Sequence, residues 1–296
     1  MIPMPADPHD PRLLPALLSS QRAEITEHHI YTKIAFVTRD PKNRGVLEQI
    51  AAEEMDHYGI WKRYTRQDIA PDHISLWFYY LMARILGITF TLKLMESVEK
   101  RAQAPDPLLR AAIPEIDAML SREEEHEKKL IALIDEERLQ YMGSVVLGLN
   151  DALVEFTGML AGLTFALQNS QIIAVAGLIT GVAASLSMGS SEYLSQKSDG
   201  GTTDPKKAAI YTGFTYMVTV ILLILPFLVL RSPYIALVLT LLGAVAVIFF
   251  FTYYIAVAKD LPFRSRFMEM LAISFGIAAI SFVIGLAIRL VLNVNV

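Results

Sequence analysis

Residues 141–167 read YMGSVVLGLNDALVEFTGMLAGLTFAL, and the reading of this stretch decides the fold. About 20 largely apolar residues carry a helix across a bilayer, so the stretch is long enough to span one. Two acids interrupt it. Asp151 and Glu155 stand one helical turn apart and therefore on one face. An acid at the centre of a span costs about 2.5–3.5 kcal/mol on insertion scales. These two are expected to face water, a partner or an ion rather than lipid.

Outward from this stretch the chain changes character. Residues 1–140 hold 18 of the 26 Lys and Arg, 23 of the 30 acids and all six His. Residues 141–296 hold 8 basic and 7 acidic residues and long runs without charge. A polar domain, residues 12–140, is thus expected to be joined to a membrane domain, residues 141–296. The net charge of −4, without a basic patch, argues against nucleic acid as a partner. With no Cys, disulfides, thiolate metal sites and cysteine nucleophiles are excluded. The opening MIPMPADPHDP lacks the apolar core of a secretion signal, so the first domain is expected to stay in the cytoplasm.

Breakers divide the polar half into four helical stretches. The first runs from about Leu13 to Thr38 and the second from about Lys42 to Arg66. A third, long and apolar, opens at Ala70-Pro71-Asp72 and reaches about Ala102; a fourth reaches about Arg138, with Pro114 at a kink or first turn. Strand signals are missing, and short links between four helices predict an antiparallel bundle. Glu54 with His57 on the second helix and Glu123 with His126 on the fourth are both i, i+3 pairs on one face. The first helix offers Glu24, with Glu27 one turn on, and the third offers Glu96 and Glu99. One Glu-x-x-His arises readily in a Glu-rich helix. Two on alternate helices, with carboxylates on the other two, form the ligand set of a di-iron carboxylate bundle. Such oxygen and imidazole donors suit iron and manganese, and also accept zinc. His28, His29 and His73 have no such company and are expected at the surface or behind the ligands.

On these residues, with Tyr31, stretch 13–139 resembles the ferritin-like domain of rubrerythrins and related erythrins. The resemblance implies a di-iron site held by Glu24, Glu54, His57, Glu96, Glu99, Glu123 and His126. Glu27 falls outside that pattern and is a candidate further ligand or entry site. Without Cys there is no rubredoxin module, which favours iron binding or oxidation over a reductant-driven peroxidase.

Five apolar stretches follow, at about 141–167, 171–195, 208–230, 233–258 and 269–292. Lys128, Lys129 and Arg138 precede the first; Lys197, Lys206 and Lys207 follow the second; Lys259, Arg264 and Arg266 follow the fourth. The opposite side has only Arg231 and Arg289. By the positive-inside rule the first domain is cytoplasmic and the C-terminus outside. The second span ends SMGSSEY, with Met188 and Glu192 one turn apart. Small residues crowd the first two spans (Gly158, Gly162, Gly177, Gly181 and Gly189 among them), allowing close helix approach.

Residues 143–292 resemble the vacuolar iron transporter family, on Asn150-Asp151-Ala152-Leu153 and on Leu186-Ser187-Met188-Gly189 followed by Tyr193-Leu194. The resemblance implies five spans, a homodimer with the ion path near the subunit interface, and Asp151 and Met188 in contact with the ion. It places Thr180 where plant members carry Glu, while Glu155 and Glu192 stand where those members lack an acid. The order of the two modules resembles membrane-bound ferritins. Taken together, the expectation is an all-α chain, a ferritin-like four-helix bundle on a five-span membrane domain, that exports Fe²⁺ or Mn²⁺ in exchange for protons. Asp151, Glu155, Met188 and Glu192 would line the path. The rival expectations are a membrane-tethered ferroxidase or peroxide scavenger, and an iron-sensing gate without redox chemistry.

Overall fold

The structure is a computed structural model that describes residues 13–102, 137–200 and 203–292, with isolated positions between 113 and 132. Of residues 99–102, 137–138 and 292 it describes the backbone alone. The chain divides into two compact units, Met1–Glu136 and Glu137–Val296. Among the described residues all regular structure is helical.

The first unit begins with α1 (Leu14–Val37) and α2 (Pro41–Thr65). Asp40 caps α2 by accepting from the Asn43 amide at 2.8 Å, and Pro41 fits the first turn, where its missing N–H costs nothing. The two helices run antiparallel. Thr65 meets Gln21, Trp61 meets Glu24 and His28 meets the Ala51 carbonyl, so the end of α2 lies beside the start of α1. Ile30, Tyr31 and Ile34 of α1 close over Leu47 and Ile50 of α2.

The long third helix expected from Pro71 to Ala102 is two helices, α3 (His73–Leu86) and α4 (Ile88–Ala102). Gly87 separates them with φ 104°, a backbone that side-chain-bearing residues rarely adopt. Asp72 caps α3, and the Ser75 hydroxyl and Ile74 amide on its carboxylate hold that acid below the usual carboxylate range. Leu76 and Ala83 of α3 and Leu92 and Met95 of α4 join the core of α1 and α2. Apart from those isolated positions and the backbone of 137–138, the expected fourth helix, including Pro114, lies outside the described residues.

The second unit holds five helices long and apolar enough to cross a membrane. They are α5 (Met142–Leu167), α6 (Ser170–Asp199), α7 (Pro205–Val229), α8 (Pro233–Ala258) and α9 (Phe263–Leu292). α6 and α9 outrun the apolar stretches because their ends carry polar residues that a hydropathy reading excludes. The links are short and capped. Gln168 turns the chain in the left-handed region, Asn169 accepts from the Gln171 and Ile172 amides, and Asp204 accepts from the Lys206 amide.

These links alternate between two ends. The Asp204 amide donates to the Tyr141 hydroxyl, which places Asp204 beside the start of α5. Gln168 donates to the Tyr234 hydroxyl and Ser170 to the Arg231 carbonyl, which places the α5–α6 and α7–α8 links together. Lys197, Lys206 and Lys207 therefore flank one end and Arg231 the other.

α5 is the most enclosed of the five helices. Glycines let its neighbours in: a Cβ on Gly148 would lie 2.3 Å from the Thr212 carbonyl oxygen of α7. On the far side, a Cβ on Gly285 of α9 would lie 2.3 Å from the Gly162 oxygen. Gly177, Gly181 and Gly189 of α6 are likewise taken up by α7. The small residues of the first two spans thus admit close helix packing within the chain. Where Pro226 interrupts the ladder of α7, Thr240 of α8 donates to the nearby Leu223 carbonyl at 2.7 Å.

The close approach at Gly148 sets a test. Gly148→Ala forces a methyl against a backbone carbonyl, and overpacking of this kind costs about 1–3 kcal/mol. Gly143→Ala meets no atom within 4 Å and should be neutral or mildly stabilising. Thermal unfolding of the purified protein in detergent should show a lower midpoint for the first variant only.

Candidate functional site

In the first unit, Glu24 of α1 and Glu54 of α2 are buried, at 3% and 4% exposure, and His57 is half-buried beside them. One donor atom from each lies within 4.8 Å of the other two. His57 Nδ1 stands 3.5 Å from Glu54 Oε2 and 3.7 Å from Glu24 Oε2. The helical spacing of three brings Glu54 and His57 to one face, and the antiparallel register brings Glu24 to meet them. Trp61 Nε1–H donates to Glu24 Oε1 at 2.9 Å, which fixes that carboxylate while its other oxygen turns toward His57.

Below the site, Thr65 donates to Gln21 Oε1, and Gln21 Nε2 donates to the Gln67 carbonyl. One turn above it, His28 Nδ1–H donates to the Ala51 carbonyl at 2.6 Å. The two helices are therefore pinned on both sides of the three donors. Two buried carboxylates this close repel unless a cation lies between them. Two carboxylates and an imidazole are donors suited to a divalent metal such as Fe²⁺ or Mn²⁺.

The remaining expected ligands divide in two. Glu27 and Glu96 are half-buried and stand outside this cluster of three. The Glu99 side chain and all of Glu123 and His126 lie outside the described residues.

In the second unit, Asp151 and Glu155 project from the middle of α5. At 1.5 Å per residue the helix is about 39 Å long, and Asp151 and Glu155 lie about 14 and 20 Å from its start. Asp151 is half-buried and Glu155 exposed on this single chain. The hydroxyl of Tyr216, a fully buried residue of α7, donates to Glu155 Oε2. Phe156 meets the Tyr216 ring edge-on at 6.0 Å and holds it in place. Tyr216 went unread in the sequence. Its signal was position: tyrosine favours the ends of spans, and this one lies in the middle of its helix.

Glu192, expected on the same path, sits elsewhere. It is buried near the end of α6 and accepts from Ser144 Oγ at 2.7 Å and Gln196 Nε2 at 3.0 Å. Ser144 lies two turns before Asp151, so Glu192 is about 10 Å along α5 from that acid. Thr203 extends the network by donating to Gln196 Oε1, and Thr212 donates to the Ser144 carbonyl. Met188, one turn before Glu192, is half-buried against the apolar core. Since α5 and α6 are antiparallel, it comes roughly level with Gly148, between the two acid sites.

The comparison with protein families adds one finding. Residues 142–203 match a model of the VIT family. No curated protein and no solved structure matches the chain. The matched segment is α5, α6 and the start of the link after them, the part that carries Asp151, Glu155, Met188 and Glu192. It supports a VIT-type membrane domain.

Proposed function

We propose that the chain moves divalent metal ions, Fe²⁺ or Mn²⁺, out of the cytoplasm through its second unit and collects them on its first. The observation that carries this reading is the pair Asp151 and Glu155 at mid-helix in a segment similar to the VIT family. An anchor needs no acids at that depth, since lipid-facing carboxylates are costly. Asp151 supplies negative charge to the ion, Glu155 is the second carboxylate, and Met188 is a soft donor one turn nearer the entrance. Glu192 lies at the mouth on the Lys-flanked end.

Carboxylates that gain and lose protons offer a way to exchange the ion for protons. The excess of Lys and Arg at one end supports a cytoplasmic first unit. A homodimer fits as well, because a second copy over the exposed Glu155 would keep that acid away from lipid.

The first unit is read as a ferritin-like metal-binding bundle. Glu24, Glu54 and His57 would hold one iron, and Glu123 and His126, with Glu96, Glu99 and Glu27 as further carboxylates, would complete a di-iron site. Iron held there would supply redox chemistry, so ferroxidase activity is part of the proposal. The protein's own residues do the positioning: Trp61 orients Glu24, and His28 and Gln21 lock α1 to α2 around the donors.

Asp151→Asn keeps the size of the side chain and removes its charge. In proteoliposomes its Fe²⁺ flux should fall at least about tenfold, which a binding loss of only 1.4 kcal/mol would produce. Expression should be normal, because Asn inserts more readily than Asp. Flux at the wild-type rate would sink the proposed path, and wild-type flux indifferent to a pH gradient would remove proton exchange.

The metal content of the purified chain tests the bundle separately. Glu54→Ala with His57→Ala, and independently Glu123→Ala with His126→Ala, should each lose at least one bound metal while helix content by circular dichroism is kept. Unchanged metal content in both would end the di-iron reading and leave the transport reading standing.

A further inference from the structure

α3 exposes what most helices bury. Its sequence HISLWFYYLMARIL sets Ile74, Trp77, Phe78, Leu81 and Ile85 along one stripe, and each is more than half exposed. Only Leu76 and Ala83 of this helix are buried. Single exposed apolar residues are ordinary, but five large ones in a continuous stripe mark a surface that meets something.

Along the stripe the charges are basic, with the capping acid Asp72 at its start. Lys33 of α1 lays its Nζ 3.8 Å from the Trp77 ring centre and 5.2 Å from that of Tyr80. Arg84 lies in the last turn of α3. From His73 to Met95 the chain has Arg84 and Lys93 and no acid, in a half where acids outnumber bases. An apolar stripe with Trp, rimmed by Lys and Arg, is the make-up of a helix that lies in the bilayer interface. Trp and Tyr favour headgroup depth, long cationic side chains reach back to the headgroups, and anionic leaflets attract them.

The chain also carries its own bilayer, since five spanning helices follow in the same polypeptide. Tethering makes the encounter intramolecular, so a modest stripe suffices.

We propose that α3 docks on the surface of the membrane that its own chain spans. The Ile74–Ile85 stripe enters the headgroup boundary, and Lys33 and Arg84 meet anionic lipid. A second copy on the same face is the other occupant, and the cross-linking arm of the experiment below distinguishes it.

The composition of the chain makes the test direct. It has two Trp and no Cys. Trp61 is buried on Glu24, whereas Trp77 lies on the stripe. The full chain would be reconstituted in vesicles of phosphatidylcholine and phosphatidylserine, with and without bromine on the acyl chains. Bromine should quench roughly half of the Trp emission, the share of one exposed ring in two. Trp77→Phe should abolish the quenching, and vesicles without phosphatidylserine should weaken it. Equal emission in brominated and plain vesicles would overturn the proposal. So would efficient disulfide pairing of two chains through Leu81→Cys, which would assign the stripe to a second copy.

Discussion

Everything in the membrane unit answers to the cost of keeping carboxylates at the middle of an apolar helix. Hydrocarbon offers no hydrogen bonds, so each acid must find a donor, a counter-charge or water. Glu155 finds the Tyr216 hydroxyl. That contact requires α7 to press against α5, and Gly148 admits the Thr212 backbone at the distance required. Gly162 and Gly285 do the same for α9. The crowding of small residues and the presence of acids are therefore one design, with α5 at its centre.

The acids of this unit occupy two different environments. Glu192 has donors from both flanking segments and ties the start of α5 to the end of α6. Asp151 and Glu155 lie deeper and share a face that this single chain leaves partly open. Glu192 accepts from both Ser144 and Gln196, whereas Glu155 accepts the single bond from Tyr216, which leaves Glu155 more capacity for an ion. The separation of about 10 Å along α5 sets Glu192 apart from the central pair.

The triad of Glu24, Glu54 and His57 in the first unit is assembled from fewer parts. Two antiparallel helices suffice to gather Glu24, Glu54 and His57, because register aligns one side chain of α1 with an i, i+3 pair of α2. Trp61 then serves twice, filling the apolar end of the unit and donating to Glu24. Its neighbour α3 uses the opposite strategy, leaving its largest side chains uncovered.

Much of this was legible in the sequence because the signals are local. Apolar runs of membrane length, capping acids such as Asp40 and Asp204, and the Glu54/His57 spacing depend on residues within a few turns of one another. Among the described helices, ends fell within about six residues of the reading, except where Gly87 divides α3 from α4; its left-handed backbone outweighed the continuous apolar pattern. Which helices meet is a different matter. Tyr216 reaching Glu155 across 61 positions, Trp61 reaching Glu24 across 37 and Glu192 turning to Ser144 across 48 follow from packing, and no periodicity encodes them. The same holds for the glycines. Their size was plain from the sequence, but only the tertiary structure decided that they admit α7 and α9, because small residues permit close approach without selecting what approaches.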